Sequence, residues 1–296
     1  MLRRNLILLS PLLAAASAAT LMTKAGALRA ETASRSTWDQ IMETKTMRLG
    51  AAISEPWYFK DANGTQDAGG VRIGNDLWRG VAPLLAREIA NAMGVKLQIV
   101  ETTWANAVAG LQANQFDFMF ILDPTPQRAL SIDWAPNPVL WYPLALLARD
   151  DVKGTDWADF NDAKYRIGVG LGTAQDQFIT KAVPKATITR FQDNGAVIAA
   201  FQANRIDLGC LTAPTADIAR ARLKTGRTLL VKPILAVPAG AAIRQESDVR
   251  WRNYLSTVVG YYYNTGKTQE IYDQYMAFRG LDPSQATPIV KENWPK

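Results

Sequence analysis

Histidine is absent from the 296-residue chain, and cysteine occurs once. The absence of histidine excludes catalysis by Ser-His-Asp or Cys-His sets and zinc sites built on histidine. A single cysteine excludes an intramolecular disulfide. Cys210 lies in the apolar run 206–211, where a small buried side chain is a commoner identity than a reactive thiol. We therefore expect neither a metal ion nor a cofactor.

Long hydrophobic runs are also absent after the first 30 residues. Arg3 and Arg4 precede the apolar runs 6–8 and 12–16, and small residues follow. This order is typical of a secretory signal peptide rather than a membrane span, because the apolar stretch is too short to cross a bilayer. We expect residues 1–30 to direct export to the periplasm. The general secretory route is favoured over the twin-arginine route, whose motif is imperfect here.

The chain has little net charge once this leader is set aside. The formal charge is +6. Four cations and no acid fall within residues 1–30, so the remaining chain carries +2. No basic stripe and no basic groove with interleaved aromatic residues is visible, which argues against nucleic acid as a partner.

The rest of the chain alternates strand and helix patterns twice. Strand patterns occupy 47–52, 96–102 and 116–122, then 144–148, 166–170, 187–191 and 206–211. Helix patterns occupy 36–44, 81–93 and 106–114, then 174–182, 194–203 and 214–223. This alternation predicts two α/β units, each with a parallel sheet and crossover helices.

A last region, 248–281, has a helical pattern throughout. Aromatic residues recur in it at helical spacing, which favours core packing over a ligand site. They are Trp251, Tyr254, Tyr261, Tyr262, Tyr263, Tyr272, Tyr275 and Phe278.

Ligands of open α/β sheets bind at the carboxyl ends of the strands. Four loops are expected there: 53–61, 123–128, 170–176 and 211–217. In the second loop, Thr125 and Pro126 predict a helix N-terminus. Arg128 then lies in the first helical turn, where the helix dipole disfavours a cation. Either Arg128 is a solvated surface charge, or an anion compensates for it.

Six segments resemble, in order over residues 45–281, the polar amino-acid-binding extracellular solute receptors of ABC importers. They read RLGAAISEPWYFKDANG, GVAPLLAREIANAMGVKLQIV, TTWANAVAGLQANQFDFMF, TPQRALSIDWA, RIGVGLGTAQDQF and FQANRIDLGCLTAPTADI. The resemblance implies an α/β fold of the type II periplasmic-binding class, with two lobes that each contain a mainly parallel sheet. Lobe 1 would comprise 45–144 plus 245–296 and lobe 2 would comprise 150–238. Hinge strands would lie near 145–149 and 239–244.

The same resemblance implies that Arg128 binds a ligand carboxylate. Gly172 and Thr173 would approach that carboxylate from the other lobe, and Trp57 would form an apolar wall of the cleft. Trp104 is expected with equal weight in the core or in the wall.

The acidic half of an amino-acid site departs from the family pattern. Thr212 stands where the family has the aspartate that receives the ligand's ammonium group. Asp123, Glu55 or Asp176 would take over that role, unless the ligand has no α-amino group. Residues 64–80 form a longer segment than is usual and are expected to make a lip over the cleft.

The implied function is that of a monomeric, non-catalytic receptor. It would close on a small carboxylate-bearing solute such as an amino acid and deliver it to ABC permease subunits in the membrane. One alternative is an enzyme that resembles periplasmic cyclohexadienyl dehydratases, although Gln175 stands where their acidic glutamate is expected. Another is an accessory periplasmic protein of a redox enzyme, with a degenerate cleft.

Overall fold

The computed structural model describes residues 35–66 and 68–294. The predicted signal peptide, residues 1–30, lies outside them. Within these ranges, no helix is both long enough and apolar enough to cross a membrane. The described helices are α1 (Thr37–Thr44), α2 (Val81–Met93), α3 (Ala107–Gln112), α4 (Pro126–Ala129), α5 (Ala174–Ala182), α6 (Asn194–Gln202), α7 (Ala213–Leu223), α8 (Arg250–Asn264) and α9 (Lys267–Phe278).

A parallel sheet forms the centre of the first lobe. Its strands are β1 (Thr46–Ala51), β5 (Lys96–Glu101) and β6 (Phe118–Leu122), with β1 in the middle. Helix α2 begins and ends where its apolar period predicts, and Gly94 closes it with a left-handed φ of 64°. Helix α4 begins as predicted, because the Thr125 side chain accepts a hydrogen bond from the Arg128 backbone N–H.

The second lobe repeats this arrangement. Strands β9 (Arg166–Gly170), β10 (Thr187–Phe191) and β11 (Leu208–Thr212) are parallel, and β9 lies between the other two. Helices α5, α6 and α7 each follow one of these strands. The short strand β12 (Arg227–Leu229) pairs antiparallel with the long strand that enters this lobe.

Two long strands carry the chain between the lobes. Strand β8 (Leu140–Ala148) enters the second lobe and β13 (Ala236–Arg244) returns, and they pair antiparallel over 140–143 and 236–239. Beyond this pairing, β8 pairs with β11, and β13 pairs with β6 and with β7 (Ile132–Trp134). The result confirms the predicted α/β fold of two lobes joined by two strands. The exact lobe and hinge boundaries stay predictions.

Three short strands in the first lobe were not predicted from the sequence patterns. Strands β2 (Phe59–Lys60), β3 (Val71–Ile73) and β4 (Asp76–Arg79) form a separate antiparallel sheet on the first lobe. Buried Arg79 holds the connecting loop, because it pairs with Asp61 at 2.7 Å and donates to two backbone carbonyls of that loop. The segment predicted as a lip therefore packs as part of this sheet.

The C-terminal helical region is two helices rather than one. Gly266, with a φ of 80°, separates α8 from α9. Trp251, Tyr272 and Tyr275 are buried as predicted. Tyr261 and Phe278 are 64% and 44% exposed, so the expectation of core packing is wrong for these two.

Close packing in the first lobe gives a test of the fold. A Cβ atom at Gly50, in β1, would lie 2.6 Å from the Phe116 ring. We expect Gly50→Ala to lower the free energy of unfolding by about 1–3 kcal/mol, because an overfilled core forces its neighbours to shift. Denaturant titration measures this change, and an unaltered midpoint would contradict the packing.

Candidate functional site

A cavity, here called the interlobe cavity, lies between the two lobes. Its lining residues are Trp57, Trp104, Ile121, Asp123, Arg128, Tyr142, Thr173, Ala174, Gln175, Asn194 and Thr212. All four loops predicted at strand ends contribute to it. The cavity has about 20 Å³ for the centre of a water-sized sphere, which is room for about one water molecule. A larger solute can therefore enter only if the lobes move apart.

Arg128 is a buried cation that has only neutral partners. The residue is 7% exposed. Nη1 donates to the backbone carbonyl of Asp123 and Nη2 donates across the cleft to the carbonyl of Gly172, both at 2.9 Å. Burial lowers the pKa of Arg128, but arginine stays protonated at neutral pH. A guanidinium held this way can pair more strongly with a carboxylate than with these carbonyls.

Asp123 is the acid of the interlobe cavity, and it is 5% exposed. Its Oδ1 accepts a short hydrogen bond from the Tyr142 hydroxyl. Burial raises the pKa of Asp123 to about 6, and the Tyr142 hydrogen bond and the charge of Arg128 oppose this increase. Asp123 is therefore mostly ionised at neutral pH and protonates in mild acid.

Tyr142 lies beside this acid in the interlobe cavity, and no sequence pattern indicated it. It lies in β8, inside an apolar run that gives no sign of a functional hydroxyl. Burial and the nearby Asp123 charge raise its pKa well above the usual value, so the phenol stays protonated. The Gln175 side chain, from the second lobe, lines the same cavity and opposes this increase in the pKa. The ring packs against Trp57, with 5.6 Å between the ring centroids.

The Gly-Thr loop of the second lobe faces Arg128. Gly172 has a left-handed φ of 73°, and a Cβ atom there would lie 3.0 Å from the Cα of Ala105 in the first lobe. Thr173 caps α5, because its Oγ1 accepts from the Asp176 backbone N–H at 3.1 Å. The structure thus brings Gly172 to Arg128 through a carbonyl, while Thr173 lines the interlobe cavity itself.

The remaining walls are aromatic and neutral. Trp104 belongs to the buried core and also lines the interlobe cavity, so both expected placements hold. Its Nε1 is buried without a hydrogen-bond partner, which is costly unless a ligand or water accepts from it. Thr212 caps α7 and its hydroxyl contacts Thr215 Oγ1 at 2.9 Å.

Ile121 and Asn194 also line the interlobe cavity, and no sequence pattern indicated them. Ile121 has a φ of 61°, which is rare for a β-branched residue. Asn194, at the start of α6, donates from Nδ2 to Ser54 Oγ at 2.9 Å across the cleft. The Asn194–Ser54 contact joins residues that are 140 positions apart, so no local sequence pattern could indicate it.

Glu55 and Asp176 do not line the interlobe cavity. Both carboxylates pair with arginines outside it. The Glu55 carboxylate lies 2.7 Å from Arg279 Nε and accepts from the Tyr275 hydroxyl at 2.9 Å. The Asp176 carboxylate lies 2.8 Å from Arg190 Nε. Of the three acids predicted as alternatives, Asp123 alone is in place.

The described residues also show no group of three or more acidic or cysteine side chains that could hold a metal ion.

Comparison with known proteins gives a family and a fold. The family model of bacterial extracellular solute-binding proteins, family 3, matches residues 54–278. The ancestral amino-acid-binding protein AncCDT-1, described as a precursor of cyclohexadienyl dehydratase, is 26% identical. Its match covers 81% of this chain and 99% of that one, with a TM-score of 0.70.

Two further structures share the fold. An amino-acid ABC transporter substrate-binding protein from Streptococcus pneumoniae, bound to L-arginine, is 20% identical over 82% of this chain and 98% of that one, with a TM-score of 0.71. A binding component from Wolinella succinogenes, complexed with lysine, is 21% identical over 78% and 95%, with a TM-score of 0.66. No curated protein matches the sequence. The family match covers most of the chain, which therefore belongs to the bacterial extracellular solute-binding proteins of family 3.

Proposed function

We propose that this protein is the periplasmic receptor of an ABC transporter. It closes its two lobes on a small carboxylate-bearing solute, such as an amino acid, and delivers it to the membrane permease. The observation that carries the proposal is the burial of Arg128 between the lobes with only carbonyl partners. Family membership supports the solute-binding role, and the similar structures with bound arginine and lysine support an amino acid as the solute.

Ligand binding would replace a contact between the lobes. The ligand carboxylate takes the place of the Gly172 carbonyl at Arg128 and forms a bidentate pair with the guanidinium. Thr173 then approaches the carboxylate from the second lobe, while Trp57, Trp104 and Thr212 enclose the rest of the solute. Because partners come from both lobes, closure completes the site.

The rest of the predicted organisation belongs to the same proposal. Residues 1–30 direct export by the general secretory route, and the mature protein acts as a monomer. Lobe 1 comprises 45–144 plus 245–296, and lobe 2 comprises 150–238. The lobes move about segments near 145–149 and 239–244, which fall in β8 and β13.

One observation favours an enzyme as the second candidate. Asp123 is a buried acid in the interlobe cavity with a pKa raised to about 6, which suits a general acid near neutral pH. The similar AncCDT-1 is described as a precursor of cyclohexadienyl dehydratase. Gln175 cannot supply an acidic proton, so a dehydratase built on this chain would depend on Asp123.

Ligand-dependent thermal unfolding tests the receptor. We expect at least one member of a panel of amino acids and simple carboxylates to raise the unfolding midpoint. The increase should be about 5 °C or more at about 100 times the dissociation constant. Arg128→Ala should abolish this increase and remain folded, because the buried charge that pairs with the carboxylate is lost.

Arg205→Ala is the matched control, since Arg205 is exposed and its side chain forms no described contact. It should respond to the ligand as the wild type does. If the ligand raises the unfolding midpoint of Arg128→Ala as much as that of the wild type, Arg128 does not bind the carboxylate. If no member of the panel raises the midpoint of a well-folded wild type, the result favours the alternative of an accessory periplasmic protein.

Turnover distinguishes the receptor from the dehydratase. We expect no conversion of prephenate or arogenate by the purified protein, measured by product absorbance and chromatography. Conversion that is lost in Asp123→Asn would replace the receptor with the enzyme.

A further inference from the structure

The charges that line the interlobe cavity restrict its ligand. Among the described lining residues, Arg128 is the one cation and Asp123 the one acid. We propose that the ligand is a zwitterion with one carboxylate, one ammonium group and an uncharged remainder, and that Asp123 binds the ammonium group. This inference rests on the proposed function, because it takes Arg128 as the partner of the carboxylate.

The two charged side chains form no direct ion pair, although each charge acts on the other. Arg128 contacts residue 123 through the backbone carbonyl, and no Arg128 nitrogen lies within ion-pair distance of the Asp123 carboxylate. Oδ1 of Asp123 accepts from Tyr142, whereas Oδ2 accepts no hydrogen bond from the described residues. Each charged group therefore keeps the capacity to pair with an opposite charge on a ligand.

A second charge on the ligand would have no partner in the interlobe cavity. The remaining polar lining residues are neutral: Thr173, Gln175, Asn194 and Thr212, with the free Nε1 of Trp104. The acids Glu55 and Asp176 are paired with arginines outside it. Burying an unpaired charge is strongly unfavourable. The cavity thus disfavours arginine and lysine, which two structures of similar fold contain, and it disfavours dicarboxylates.

Tyr142 acts as a positioning residue for this acid. The groups that face Asp123 are Arg128 from the α4 turn and the Tyr142 hydroxyl from β8, and both lower its pKa against the effect of burial. An ammonium ligand needs the ionised carboxylate, so affinity is present above the pKa of Asp123 and is lost as the pH falls through it. Removal of the hydroxyl should raise that pKa and move the loss to higher pH.

Calorimetry with defined probes tests the proposal. The probes are L-alanine, L-leucine, L-glutamine and L-phenylalanine, the charged L-arginine, L-lysine and L-glutamate, and the des-amino acids propionate, 4-methylpentanoate and 3-phenylpropionate. We expect an uncharged amino acid to bind best. If L-alanine, L-leucine or L-phenylalanine binds, its des-amino counterpart should bind at least about 30-fold more weakly, because a buried charge partner is lost.

Variants assign the effect to Asp123. Asp123→Asn should lose at least about 30-fold in affinity for the amino acid, and the remaining affinity should no longer decline below pH 6. Asp151→Asn, which removes a carboxylate from an exposed turn, should bind as the wild type does. Tyr142→Phe should move the pH midpoint of binding upward, which a merely structural role would not do. Circular dichroism of each ligand-free variant verifies folding.

The outcomes separate this inference from the proposed function. If des-amino acids bind as tightly as amino acids, or if arginine or lysine binds best, while Arg128→Ala still abolishes binding, the inference is wrong and the receptor stands. Equal affinity of Asp123→Asn and wild type also overturns the inference alone. Binding that survives Arg128→Ala, or binding of no probe, overturns both.

Discussion

The interlobe cavity depends on one constraint, which is that the positive charge of Arg128 is buried away from water. Arg128 lies between the lobes, and neutral carbonyls are its only partners. Desolvation of an ion costs several kcal/mol, and neutral hydrogen bonds offset only part of this. The turn at Thr125 and Pro126 aims the side chain into the cleft, and Gly172 lets the second lobe approach it closely. A carboxylate at this position would give Arg128 a direct ion pair, which Asp123 does not provide.

Several polar contacts hold the two lobes together. Besides the Arg128–Gly172 hydrogen bond, Asn194 donates to Ser54 and the Thr215 hydroxyl donates to the Glu55 carbonyl across the cleft. Arg222 also lies 3.4 Å from the Glu55 carboxylate, and Thr287 donates to Asp217. Such bonds can be exchanged for bonds to water at little net cost. The continuous sheet, by contrast, runs through both lobes and carries the chain between them in β8 and β13. This combination suits rigid-body closure around a solute.

The sequence patterns predicted the bounds of an element best where its hydrophobic period repeats several times. Helices α2 and α5 have the predicted bounds, whereas β2, with two residues, is too short to show a period. The helix dipole, a local rule, singled out Arg128 as an unusual cation, whereas its ligand-binding role was implied by the family resemblance and stays a prediction. Tyr142 gave no signal, because its hydroxyl gains a role only through Asp123. The sequence around Glu55 likewise does not show that this residue pairs with Arg279, which is 224 residues away.

The position of the acid changes the order in which a ligand would be captured. On our proposal, Arg128 and Asp123 both belong to the first lobe, at the end of β6. A zwitterion can therefore satisfy both charges on the open first lobe before closure. The second lobe then contributes neutral groups, such as Thr173 and Thr212, which select for the shape and hydrogen bonding of the remainder. Charge would govern capture, and the neutral half of the cavity would govern selectivity among uncharged side chains.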